Sequence, residues 1–138
     1  MGLPKLELLV VDDDENLRKM VRISLEGDGW EIYEAGNAAE AMRICHDIAP
    51  EFVLLDLGLP GNFDGFSICE ALRRMPSMKG AKIVILTGFD ELTDVDRAYR
   101  AGANAYVVKP FSPLQLPELF ARLPAPEGMP VVSAQRAT

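Results

Sequence analysis

No stretch of this 138-residue chain approaches the roughly 18 consecutive apolar residues of a membrane-spanning helix. The opening Met1-Gly2-Leu3-Pro4-Lys5 lacks the apolar core of a secretory signal. Cysteine is almost missing. Cys45 and Cys69 fall on separate predicted helices, too few and too far apart for a disulfide framework or a zinc site. They read as two plain thiols of a reducing compartment. Basic charge is the minority sign: 14 Lys and Arg stand against 21 Asp and Glu, net −7. The basic footprint of a general nucleic-acid binder is therefore absent, and no direct nucleic-acid binding is expected. The single histidine, His46, lies near the end of a predicted helix, where a surface role beside the helix dipole is expected. What remains is an ordinary globular balance, 49% apolar and 25% charged, able to fill one core. A soluble, cytoplasmic chain of one domain is expected.

Strand-like and helix-like periods alternate along it. Apolar runs predict strands over Leu6–Val11, Glu51–Leu55, Ala81–Leu86 and Ala105–Val108, and Trp30–Ala35 alternates apolar and acidic residues. Continuous apolar runs fit strands buried on both faces. Between them lie helical patterns. Leu17, Met20, Val21 and Leu25 mark the first, closed at Gly27 and Gly29 by left-handed turns. Asn37 with Glu40 reads as a capping box for the second. Asp64 caps the third, and the fourth runs from Leu92 to Ala101 before Gly102. Ser112-Pro113 resembles an N-cap with proline in the first turn. Pro117 is then expected to delay or kink the last helix, leaving only Pro117–Leu123. Residues 1–123 form one domain on this reading. Pro124-Ala125-Pro126 through Thr138 is a Pro-rich tail or the start of a linker. Alternation of five strands with five helices implies a parallel α/β sheet covered on both faces.

Four of the strands end in polar residues. Asp12, Asp13 and Asp14 follow the first, Asp56 the third, Thr87 the fourth and Lys109 the fifth. In a parallel sheet these ends share one edge, where open α/β sheets place their sites. Each signal is weak alone: the three aspartates suit a helix N-terminus, and Thr87-Gly88 suits a plain turn. Their joint placement carries more. Clustered carboxylates suit a hard, partly hydrated cation such as Mg²⁺, and a carboxylate can accept a phosphoryl group. Lysine and threonine add a positive charge and a hydroxyl.

These features together resemble the receiver domain of bacterial two-component response regulators. The resemblance rests on Leu9-Val10-Val11-Asp12-Asp13-Asp14, Val53-Leu54-Leu55-Asp56-Leu57-Gly58-Leu59-Pro60, Asp64-Gly65, Ile85-Leu86-Thr87-Gly88, and Ala101-Gly102-Ala103 through Tyr106-Val107-Val108-Lys109-Pro110-Phe111. It implies a flavodoxin-like, doubly wound sheet of order 2-1-3-4-5 flanked by five helices. It makes Asp56 the phosphoacceptor, Asp12 and Asp13 Mg²⁺ ligands together with Asp56 and the Gly58 backbone carbonyl, and Asp14 a bystander. Lys109 becomes the phosphate-binding lysine, Thr87 the switch hydroxyl and Tyr106 the aromatic that follows it. The implied donor is a histidine kinase or phosphotransfer protein. The implied output passes through the fourth helix, fifth strand and fifth helix to an unknown effector or output domain. Such a domain assists its own phosphorylation and dephosphorylation but turns over no outside substrate.

This sequence departs from the family pattern in three places. The segment from Asp56 to Asp64 is one residue longer, with Gly61-Asn62-Phe63 carrying the insertion. Gly58 and Phe89 occupy positions that tune the phosphoryl lifetime. Pro117 shortens a helix that many relatives use to dimerise. Tyr99, Trp30 and Tyr33 are expected to pack. Two rival readings remain. A receiver-like module working without phosphorylation would keep the same residues. An aspartate-nucleophile phosphatase would need a second acid where Gly58 stands.

Overall fold

The computed structural model describes residues 6–27, 29–57, 64–87, 92–108 and 111–123, with the side chains of 92–94 left aside. The proposed tail, 124–138, lies outside the described residues. Five strands, β1 (Leu6–Val11), β2 (Trp30–Ala35), β3 (Phe52–Asp56), β4 (Lys82–Thr87) and β5 (Ala105–Val108), form one sheet in the order β2-β1-β3-β4-β5. Every neighbouring pair is parallel. Connecting them are α1 (Glu15–Leu25), α2 (Ala38–Asp47), α3 (Gly65–Arg74) and α4 (Leu92–Arg100), with α5 (Leu116–Arg122) closing the order. The expected α/β architecture and its strand order are both present.

The apolar runs form strands because alternate residues feed two separate cores. Leu9, Val11, Val53, Leu55, Ile83 and Ile85 face α2, α3 and α4, packing with Cys45, Phe66, Cys69 and Leu72. Leu8, Val10, Leu54, Val84 and Leu86 face α1 and α5, packing with Val21, Leu25, Leu116 and Phe120. A strand buried on both sides has no polar position to spare, so charge collects at its ends. Trp30 packs against Phe52 and Phe120 with its ring tilted to both, centroids 5.2 and 5.8 Å away.

The helix ends follow local chemistry. Asp14, Asn37 and Asp64 accept backbone N–H bonds from Asn16, Glu40 and Ser67. The reciprocal half of the second cap is shifted by one residue, because Glu40 Oε1 accepts from Gly36 N at 2.8 Å. Gly27 and Gly29 adopt φ of +101° and +88°, the left-handed turns expected after α1. Ser112 precedes a single 3-10 turn, Pro113–Gln115, without a side-chain cap bond. The α-helix proper starts late, at Leu116. Pro117 thus lies in a first turn, where its missing N–H costs nothing.

One residue of the helical pattern in α1 does not join the core. Val21 and Leu25 are buried, but Met20 is 44% exposed. Met20 lies about 100° round the helix axis from Val21, outside the arc that meets the sheet. Both thiols are enclosed, and burial pushes Cys45 and Cys69 up to about 12. A thiol reagent counted by mass spectrometry is expected to modify neither cysteine in the native protein and both in denaturant.

Candidate functional site

The site is assembled at the C-terminal edge of the sheet from the first residues that the buried strands cannot keep apolar. Asp56 is the last residue of β3 and Thr87 the last of β4; they are 5% and 3% exposed. Asp56 pairs in register with Leu86, which brings Thr87 one step beyond it on the neighbouring strand. Leu57 N donates to Leu86 O at 3.0 Å, so the two strand ends remain joined past Asp56.

Asp12 and Asp13 lie just beyond β1, which is hydrogen-bonded to both β2 and β3. Asp12 is fully buried. Its N–H donates to Ala35 O at 3.0 Å, its Oδ1 accepts from Asp14 N at 2.9 Å, and its carbonyl accepts from Arg18 Nη1 at 2.6 Å. The neighbouring Asp13 faces solvent. Asp12, Asp13 and Asp56 each present a carboxylate oxygen, and these oxygens lie within 4.8 Å of one another. Asp14 instead spends its carboxylate capping α1.

Three carboxylates this close repel one another unless a cation joins them. An all-oxygen donor set open to water on the Asp13 side suits a hard divalent ion that keeps part of its hydration. The sequence-derived residues Asp12, Asp13, Asp56 and Thr87 therefore meet at one edge. Tyr106, on β5, is buried and meets Tyr99 edge-on at 6.5 Å. Gly58 and Lys109 lie outside the described residues, as do Phe89 and the longer loop through Asn62.

Two residues at this edge were given no role from sequence. Gly65 opens α3 directly over Asp56: a Cβ there would stand 2.6 Å from Asp56 O and 2.9 Å from Leu57 Cα. A glycine at a helix start, where almost any residue serves better, was the available signal. Arg18 had none, since arginine on an amphipathic helix is commonplace. It bridges the Asp12 carbonyl and Glu34, at 2.6 and 3.0 Å. Burial works to raise the Glu34 carboxyl. The hydrogen bonds from Arg22 and Arg18 outweigh it and hold Glu34 below its ordinary value.

Comparison with known proteins agrees with this arrangement. The model of the response regulator receiver domain matches residues 8–121. The DNA-binding response regulator MtrA of Mycolicibacterium smegmatis is 38% identical over 116 residues, 84% of this chain and 49% of the relative. The transcriptional regulatory protein SrrA of Staphylococcus aureus is 36% identical over 110 residues, 80% of this chain and 44% of the relative. The chain thus spans about half the length of these relatives or slightly less. Among solved structures, the chemotaxis response regulator CheY4 of Vibrio cholerae superposes with a TM-score of 0.79 at 27% identity, over 86% of this chain and 98% of that one. A putative response regulator from Chloroflexus aurantiacus gives 0.77 at 33% identity, over 84% and 94%. Receiver domains of this kind are signalling modules of two-component systems rather than metabolic enzymes. Among the described residues no helix is long and apolar enough to cross a membrane. The chain belongs to the response regulator receiver domain family.

Proposed function

We propose that this domain is a phosphorylation-controlled switch in which Asp56 accepts a phosphoryl group from a histidine kinase or a histidine phosphotransfer protein. One observation carries the reading: a nearly enclosed carboxylate at the end of β3 lies within 4.8 Å of ligand oxygens from Asp12 and Asp13. A phosphoacceptor needs a cation beside it, because the incoming group is an anion that carboxylates alone would repel, and Asp12 and Asp13 supply oxygens that could hold one.

Asp12, Asp13, Asp56 and the Gly58 carbonyl would hold Mg²⁺. The bound ion would neutralise charge on the phosphoryl oxygens. An Asp56 oxygen attacks phosphorus in line, its bond forming as the bond to the donor histidine nitrogen breaks and that imidazole departs. Lys109 balances charge on the transferred group, and the Thr87 hydroxyl donates to one of its oxygens. The modification adds about −1.5 to −2 charges at pH 7. Thr87 and Tyr106 are then the pair that relays the change toward α4, β5 and α5. The receiver unit spans residues 1–123, with 124–138 a tail or linker toward an effector or output domain.

Incubation with a small acyl phosphate such as acetyl phosphate is expected to add one phosphoryl group per chain, only with Mg²⁺. Asp56→Asn is expected to remove it. Labelling that survives in the variant, or needs no divalent ion, would overturn the assignment. A partner bound equally well with and without beryllofluoride would favour a module working without phosphorylation.

A further inference from the structure

We propose that Arg18 is a positioning residue of the cation site, one that sets the affinity for Mg²⁺ without touching the ion. The inference rests on reading Asp12, Asp13 and Asp56 as that site. Arg18 Nη1 donates to the Asp12 carbonyl at 2.6 Å. That carbonyl belongs to the peptide joining Asp12 to Asp13, the two acids that β1 delivers. Its direction fixes the torsions on either side, and so where the Asp13 carboxylate projects. The Asp12 N–H is already tied to Ala35 O, and its Oδ1 already accepts from Asp14 N. Arg18 supplies the third tether, and the only one of these three that comes from α1's side-chain face rather than from backbone.

The guanidinium is itself held. Its Nε pairs with Glu34 Oε1 at 3.0 Å, and Glu34 Oε2 pairs with Arg22 Nε at 2.7 Å. Arg22 in turn pairs with Glu26 at 2.6 Å. A planar guanidinium anchored at one nitrogen can aim another with little remaining freedom. Gly36 leaves it room, since a Cβ there would come within 3.3 Å of Nη1. Two guanidinium groups and two carboxylates make the network formally neutral. A lone positive charge beside a dication site would oppose binding; this one is compensated, and its hydrogen bond remains.

Charge and positioning therefore predict opposite signs. If Arg18 acted only as a nearby charge, its removal would tighten cation binding. If it positions the Asp12–Asp13 peptide, its removal weakens binding. Residues behind metal ligands commonly matter by tenfold or more, so Arg18→Gln is expected to weaken Mg²⁺ about tenfold.

The test is calorimetric titration with Mg²⁺ alone, with no phosphodonor present, alongside urea unfolding of each variant. Arg18→Met is the second variant, and Glu34 keeps its bond to Arg22 in both. Arg73→Ala, at the opposite sheet edge, is the control for lost stability without lost affinity. Weaker binding in the Arg18 variants, with wild-type affinity in Arg73→Ala, supports the inference. Unchanged or tighter binding in either folded Arg18 variant overturns it. If Asp13→Asn loses Mg²⁺ while the Arg18 variants keep it, the positioning role alone falls. If the wild type binds no Mg²⁺, or Asp13→Asn binds as tightly, the reading of the site falls with it.

Discussion

Arg73→Ala is expected to cost the fold about 3–4 kcal/mol, the sum being less than additive over the bonds lost. Arg73 stands at the end of α3, yet its guanidinium reaches two other segments. Nε donates to Gly102 O at 2.7 Å, Nη1 to Ala81 O at 2.7 Å and to Met78 O at 3.3 Å, and Nη2 to Asn104 Oδ1 at 2.7 Å. Asn104 is buried, and its Oδ1 also accepts from Ile83 N, while its own N–H donates to Ile83 O. One guanidinium thus ties α3 to the entry of β4 and to the turn that leads from α4 into β5. The stem matters as well: Gly102, at φ +105°, lies so close that a Cβ would stand 2.6 Å from Arg73 Cγ. Truncation leaves several enclosed carbonyls without their charged donor and opens space under Gly102. Lysine is not expected to rescue it, because one ammonium cannot aim in three fixed directions. For a domain of this size the loss corresponds to a fall in melting temperature of roughly 10–15 °C. Urea unfolding followed through Trp30 measures it, since Trp30 reports packing against Phe120. A loss under about 0.5 kcal/mol would place Arg73 among ordinary surface residues.

Neither the Arg73 hub nor the Arg18 tether was legible in the sequence, and the reason is the same. Each depends on an arginine reaching backbone carbonyls of another segment, six residues away for Arg18 and as many as 29 for Arg73, and carbonyls leave no signature in residue identity. What was legible came from burial. A strand such as β3, apolar at every position but its last, announces both its own span and the oddity of Asp56. The late start of α5 was legible because proline is tolerated in the first turn of a helix and not in its interior, and Pro117 lies in that first turn. The strand order was not readable from periodicity, since any order of five buried parallel strands gives similar runs; it came with the family resemblance. The exposure of Met20 was not legible, because a spacing of three or four residues does not say how wide an arc the sheet covers. The convergence of Asp12, Asp13 and Asp56 was legible for a simpler reason. In a parallel sheet, acids that each follow a strand must share an edge, whichever strands are neighbours.

Gly65→Ala is expected to lower phosphoryl uptake by Asp56 at least about tenfold, beyond any effect on stability. Helix propensity argues the other way, since alanine gains up to about 1 kcal/mol over glycine inside a helix. Two facts decide it. The backbone at Gly65 is not in the left-handed region, so alanine suffers no torsional strain there. The added methyl, however, would lie 2.6 Å from Asp56 O, 2.9 Å from Leu57 Cα and 3.1 Å from Asp56 C. All three are backbone atoms that cannot rotate aside. Either α3 retreats, pulling at the Gly65 N–H to Leu57 O bond of 3.3 Å, or the end of β3 gives way. Overpacking of this kind costs about 1–3 kcal/mol, which more than offsets the gain in propensity. The second consequence is specific to the site. The displaced atoms are Asp56's own carbonyl and the next Cα, so the carboxylate moves relative to Asp12 and Asp13, which are held from β1. Asp64 still caps α3 through Ser67 N at 2.9 Å, which keeps the helix formed while its seat shifts. The measurement is the rate of labelling by acetyl phosphate at saturating Mg²⁺, compared with stability in urea. A variant that loses stability but labels at the wild-type rate per folded molecule would reduce Gly65 to packing. A slowed rate at conditions where the variant is fully folded would make the Asp64-Gly65 pair part of how this fold aims Asp56.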